Sequence, residues 1–191
     1  MSFSFANLGL IVSARCDSTR LPGKVMRRLN NKPMINFILD RLATTKEVKK
    51  IIMATTTKKS DDKLSKIVED NGFEVFRGSE NNLIKRYVDA AKKYNFDYVV
   101  RVTGDCPLVD SNSLDYCINL IKTKDEFDLA STKGFFPVGI DYEIYPAKLM
   151  ERISKKKDVS NSEKEHLTLY IYNHKKNFKI LNLKPKKDWI T

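Results

Sequence analysis

Residues 14–24 read Ala-Arg-Cys-Asp-Ser-Thr-Arg-Leu-Pro-Gly-Lys and follow directly on the apolar run Leu8-Gly9-Leu10-Ile11-Val12. Arg15, Arg20 and Lys24 are three fixed cations, Ser18 and Thr19 add hydroxyl donors, and Pro22-Gly23 supplies a turn. A guanidinium grips phosphate oxygens as a two-pronged fork, and an ammonium adds a compact charge. The loop is therefore either a solvated surface turn or the holder of a ligand with several phosphate charges. It is not a Walker loop, because Gly-x4-Gly-Lys-Ser/Thr is absent. It is not a dinucleotide fingerprint either, because no Gly-x-Gly-x-x-Gly follows the strand.

A second segment, Thr103-Gly104-Asp105-Cys106-Pro107-Leu108-Val109-Asp110, follows the apolar run Tyr98–Val102. Asp105 stands beside a glycine that lets backbone approach a ligand. It is either a turn-forming aspartate or a hard oxygen ligand for Mg²⁺, which in turn grips phosphate oxygens. Asp110 reads as the cap of the next helix. Both loops follow buried strands, so both are expected to open on the same side of a sheet.

The elements that must carry these loops alternate. Strands are expected at Leu8–Ser13, Ile51–Thr55, Phe73–Phe76, Tyr98–Val102, Phe127–Ser131, Ile140–Tyr145 and Phe178–Leu183. Helices are expected at Pro33–Leu42, Ser60–Asp70 with Ser60 as cap, Asn82–Tyr94, Ser111–Ile121 and Ser162–Asn173. This alternation predicts an α/β fold with a mostly parallel sheet covered by helices on both faces, and ligand binding at the strands' carboxyl ends. Neither an internal repeat nor a flexible linker is present. One domain is expected over residues 1–191, with Phe135–Gly139 as an irregular loop.

Composition narrows the classes. A chain of 191 residues with 41% hydrophobic content can bury a real core. No apolar stretch is long enough to span a bilayer, and the first residues lack the pattern of a secretion signal. Cys16, Cys106 and Cys117 are odd in number and lack metal-type spacing, so free thiols and a cytoplasmic setting are expected. The net charge of +11 draws nucleic acid, anionic surfaces or phosphorylated metabolites. Residues 151–191 hold eleven Lys/Arg against five Asp/Glu, so much of the excess is lysine near the carboxyl end. The aromatics show no RNA-binding signature, so no specific nucleic-acid partner is expected.

Asp141 and Glu143 lie two apart and would face the same side of a strand. They could bind a second metal, take sugar hydroxyls, or pair with nearby lysines. His166 is either structural or lines a ligand pocket.

Together, Ala14-Arg15-x-x-Ser18-Thr19-Arg20-Leu21-Pro22-Gly23-Lys24 and Lys32-Pro33-Met34 resemble the signature of sugar-activating cytidylyltransferases. Arg77-Gly78-Ser79-Glu80, Arg86-Tyr87, Thr103–Leu108, Gly139-x-Asp141-x-Glu143 and Glu165-His166-x-Thr168 resemble the spore-coat polysaccharide branch of that family. The likeness spans nearly the whole chain. It implies a Rossmann-like nucleotide-diphosphosugar transferase fold and transfer of CMP from CTP to a sugar, with an acidic sugar for surface polysaccharide as the expected acceptor and pyrophosphate as the leaving product. A nucleotide-binding module without turnover is the other reading.

The resemblance also implies roles. Arg15, Lys24 and Asp105 would be catalytic, with Asp105 holding Mg²⁺. Ala14, Arg15, Ser18, Arg20, Lys24, Thr55, Thr56, Thr103 and Gly104 would contact the nucleotide. Asp141, Glu143 and His166 would meet the sugar. A homodimer is implied by likeness alone. The family often has aspartate at the position of Asn82 and arginine at that of Lys164. Beyond Thr191 it implies a further strand and an Asp-Thr-x-x-Asp-type segment with a second metal ligand. The domain is accordingly expected to lack its C-terminal segment as a fragment, or to replace that ligand with Asp141 and Glu143, or to be inactive.

Overall fold

The computed structural model describes residues 7–18, 21–124 and 126–189. Thr19 and Arg20 of the cationic loop lie outside the described residues. The first strand, β1 (Leu8–Ser13), is buried at five of its six positions. Such a continuous apolar run is required of a strand covered on both faces. The other strands are β2 (Arg28–Leu29), β3 (Lys32–Pro33), β4 (Lys50–Thr56), β5 (Glu74–Gly78), β6 (Tyr98–Thr103), β7 (Leu129–Ser131), β8 (Glu143–Pro146) and β9 (Ile180–Asn182). The helices are α1 (Met34–Leu42), α2 (Asp62–Asp70), α3 (Leu83–Lys93), α4 (Ser111–Lys122), α5 (Ala147–Ser154), α6 (Asn161–Glu165) and α7 (Leu169–Asn173).

Seven strands form one sheet in the order β5-β4-β1-β6-β8-β7-β9. β1 pairs in parallel with β4 and β6, and β4 with β5. β8 runs antiparallel to β6 and β7, and β9 is parallel to β7. Only β8 is reversed, so the other six strands present their carboxyl ends along one edge.

Alternation along the strands sends residues to two cores. Leu8, Leu10 and Val12 of β1 pack with Ile38 and Leu42 of α1, Leu64 of α2 and Leu114 and Ile118 of α4. Ile11 and Ile52 point the other way, to Ile84 and Tyr87 of α3, Leu149 and Ile153 of α5 and Ile171 of α7. Each such fully buried side chain stabilises the fold by roughly 1.5–3 kcal/mol.

The expected elements form, with four instructive differences. Ser60 is not a cap: a short 3-10 turn, Lys59–Asp61, precedes α2, and no side chain caps that helix. The expected helix over residues 162–173 is interrupted at His166, whose ψ is 87°. Ser160 and Glu163 form a reciprocal capping box at the start of α6, and fully buried Leu167 lies beyond the break. α5 follows β8 where no helix is expected, although Leu149, Met150 and Ile153 recur at helical spacing. The β2–β3 hairpin turns through Asn30 and Asn31, both at positive φ, a conformation asparagine tolerates better than most residues. Asn82 caps α3 by accepting from the Lys85 backbone N–H at 2.8 Å. An amide oxygen caps as well as a carboxylate, so the departure from the family's aspartate is neutral for this contact.

Candidate active site

β1 and β6 are neighbours in register, with Ser13 opposite Thr103. The two segments singled out above therefore leave the sheet side by side. The backbone N–H of Gly104 donates to the Ser13 carbonyl at 2.8 Å. A Cβ at Gly104 would stand 2.8 Å from the Ala14 Cβ and 3.0 Å from the Ser13 oxygen, so only glycine allows this approach.

The cationic loop is held at both ends. Its start is fixed by Asp61, whose Oδ1 accepts from the Cys16 backbone N–H at 2.7 Å and whose Oδ2 accepts from the Thr56 hydroxyl. Burial pushes the Asp61 carboxyl up, but hydrogen bonds from Thr56 and Cys16 outweigh it and hold the group below its usual value. Its end closes when the Gly23 N–H, in the left-handed region at φ 66°, donates to the Cys16 carbonyl at 2.8 Å. The turn delivers the Lys24 ammonium to Asp105 Oδ2, an ion pair spanning 81 residues of sequence. Burial pushes the Asp105 carboxyl up, yet hydrogen bonds from Lys24 and Thr103 keep it below its ordinary value. The pair stays within reach of a ligand, with side-chain exposures of 24% and 42%.

Around this pair lies a cavity of about 500 Å³. Its walls include Ala14, Arg15, Ser18, Lys24, Thr103, Gly104, Asp105 and His166 from the expected set. Arg86 and Arg101 join them, along with Glu80 and Glu165. Among the described residues, four guanidinium or ammonium groups thus line the cavity together with three carboxylates. Arg86 is buried and donates to the carbonyls of Ser79 and Glu80 at 2.7–3.3 Å. Burial lowers its pKa from the usual arginine value. With backbone oxygens as its hydrogen-bonded partners, its charge adds to the field in the cavity.

Other expectations fall elsewhere. Thr55 and Thr56 are buried and are not among the cavity's lining residues; the Thr56 hydroxyl is spent on Asp61. Asp141 lies in the loop before β8, where it accepts from the Gly139 N–H at 3.4 Å. Glu143 is the first residue of β8 and is buried. Its carboxylate accepts from Arg101, from the Thr168 hydroxyl at 2.9 Å and from the Tyr172 hydroxyl at 2.9 Å. Both of its oxygens are taken by these donors, and neither it nor Asp141 is among the cavity's lining residues. Among the described residues no three His, Cys, Asp or Glu side chains gather to hold a metal ion. Cys16, Cys106 and Cys117 are free thiols. Burial, with Asp61 beside it, pushes the Cys16 thiol up to about 11, so it is no nucleophile near neutral pH.

Three residues that build the site were missed as functional groups. Arg101 had the clearest signal, a charge inside an otherwise apolar strand. Asp61 was masked by looking like part of a helix start. The role of Arg86, quoted only as part of a motif, depends on contacts with a loop six and seven residues upstream.

A sheet with one reversed strand, helices on both faces and a cation-rich cavity at its carboxyl edge is a Rossmann-like α/β architecture with a site suited to an anionic ligand. Residues 10–187 match the family model described as cytidylyltransferase, and the chain belongs to that family. It is 35% identical over 171 residues to the spore coat polysaccharide biosynthesis protein SpsF of Bacillus subtilis, covering 86% of this chain and 69% of that protein. It is 33% identical over 135 residues to an 8-amino-3,8-dideoxy-manno-octulosonate cytidylyltransferase of Shewanella baltica, covering 68% of this chain and 53% of that one. A cytidylyltransferase structure from Leptospira borgpetersenii superposes with a TM-score of 0.87 at 36% identity, covering 95% of this chain and 77% of the other. No helix among the described residues is long and apolar enough to cross a membrane.

Proposed function

We propose that this domain transfers CMP from CTP to a hydroxyl of an acidic sugar destined for a surface polysaccharide, with release of pyrophosphate. The acceptor hydroxyl oxygen bonds to the α-phosphorus, the bond from that phosphorus to the bridging oxygen of the β-phosphate breaks, and the hydroxyl proton leaves to solvent. The observation that carries the reading is the Lys24–Asp105 pair, which joins the cationic loop to the carboxylate loop at the mouth of one cavity.

Negative charge grows on the α-phosphoryl oxygens and on the departing pyrophosphate. Lys24, carried at the end of the clamped loop, and Arg15 on the cavity wall would stabilise it. Asp105 offers a hard oxygen donor on the cavity wall. It suits Mg²⁺ bound in the way common for nucleotides, through one or two carboxylates with the remaining positions left to phosphate and water. Such an ion would supply charge neutralisation at the phosphates. Lys24 keeps Asp105 ionised and ready for that role. Glu143 and Asp141 are not needed for it.

Incubation of the purified protein with CTP, Mg²⁺ and 2-keto-3-deoxy acidic sugars should release pyrophosphate. The absence of any rise in melting temperature with CTP, together with no pyrophosphate, would overturn the proposal.

A further inference from the structure

The cavity contains a cation that the triphosphate does not require. Arg101 lies on β6 two residues before Thr103, so its side chain leaves the sheet on the same face. Directly opposite on β8 is Glu143. The two ends of this pair are treated differently. Glu143 is sealed: its oxygens accept from Arg101, Thr168 and Tyr172, and Tyr172 is in turn hydrogen-bonded to Ser131 at 2.9 Å. Arg101 is left unfinished. Among the described residues its hydrogen bonds go to Glu143 through Nη1 alone, and its buried Nε has no partner. About a fifth of its side chain stays exposed, and it lines the cavity beside Arg86, Glu165 and His166.

A pair that served only to stabilise the fold would satisfy both partners, since unpaired buried donors are costly. Here the carboxylate is saturated, while among the described residues the Arg101 Nη2 is left without a protein partner on a side chain that reaches the cavity. The neighbouring charges also select the ligand. Glu143 cancels the net charge of Arg101 but leaves its planar fork of N–H donors. That fork suits the oxygens of a carboxylate or a phosphate, so what assigns it is which anion the other cations leave unmatched. The cavity already provides Arg15 and Lys24 for the phosphates.

We propose that Arg101, oriented by Glu143, receives the carboxylate of the acceptor sugar and so makes the enzyme selective for acids. The inference rests on the proposed function above and adds the residue that reads the acceptor. The segment after α6 supports it. The same break in helix geometry that brings His166 to the cavity places Thr168 on Glu143, so acceptor wall and arginine support are built together.

The test compares 3-deoxy-manno-octulosonate and N-acetylneuraminate with their methyl esters, in pyrophosphate release with CTP. The wild-type protein should prefer an acid over its ester in kcat/KM by about 10- to 100-fold, the range expected of a charge-assisted hydrogen bond. Arg101→Met should remove that preference and leave the KM for CTP unchanged. Because that variant strands a buried carboxylate, Arg101→Met/Glu143→Gln is assayed beside it and should behave alike. A wild-type protein indifferent to esterification, or an arginine variant that still prefers the acid, overturns the proposal. If CTP raises the melting temperature but neither acid reacts, the acceptor assignment falls and the nucleotide reading stands. If CTP has no effect at all, both fall.

Discussion

Two of the ion pairs at this cavity are built in opposite ways. Lys24–Asp105 joins two loops beyond the carboxyl ends of β1 and β6, and both members are partly open to solvent. Arg101–Glu143 joins two strands inside the sheet, with Glu143 shut away behind Thr168 and Tyr172. An exposed pair contributes little to stability, about 0–1 kcal/mol, because water screens and competes for it. Its members can turn to a ligand for the same reason. A sealed pair cannot rearrange, and removing one partner leaves an uncompensated charge in a poor dielectric. The open pair is thus suited to handling charge that changes during a reaction. The sealed pair is suited to holding one group in a fixed direction.

Substitutions should separate these roles. Asp105→Asn is expected to lower pyrophosphate release by about a thousandfold, roughly 4 kcal/mol of transition-state stabilisation, while the melting temperature barely moves. Equal losses of activity and of stability would mean that the open pair is structural. Glu143→Leu should instead act on stability, lowering the free energy of unfolding in urea by about 3 kcal/mol. An unchanged urea midpoint would erase the contrast between the pairs.

The smallest expected effect is on acid stability. Asp61 has a folded pKa below its ordinary value of 3.8, because the hydrogen bonds it accepts outweigh the burial that opposes them. The stability it contributes is complete above that ordinary value and is lost as pH falls through the lower folded value. Asp61→Asn should therefore melt at a lower temperature than wild type at pH 7, with the gap shrinking below about pH 4. Melting curves from pH 7 to pH 3 that stay parallel would show that Asp61 does not clamp the cationic loop as an ion.

Much of the site was legible in local sequence. The apolar runs 8–12 and 98–102 announced buried strands, and the residues just beyond them announced the cations and the carboxylate. Asp110 was readable as a cap and does accept from the Ser113 N–H at 2.7 Å. Glu143 was not readable. Its spacing from Asp141 suggested a shared face, but β8 begins only at Glu143, and β6 and the distant segment around Thr168 and Tyr172 supply the groups that surround it. Thr55 and Thr56 stand apart from the cavity's lining residues for a related reason. They stand at the end of β4 as expected, but the 3-10 turn after it folds Asp61 back onto Thr56.

Periodicity, caps and turn residues act over a few positions, and for that reason the succession of strands and helices along the chain and the place of the cationic loop beyond a buried strand could be read from the chain alone. Which charges meet is decided over separations of 42 and 81 residues, where nothing local records the outcome. Strand order and register made those choices: β6 lies between β1 and β8, so one neighbour brings Lys24 to Asp105 and the other brings Glu143 to Arg101.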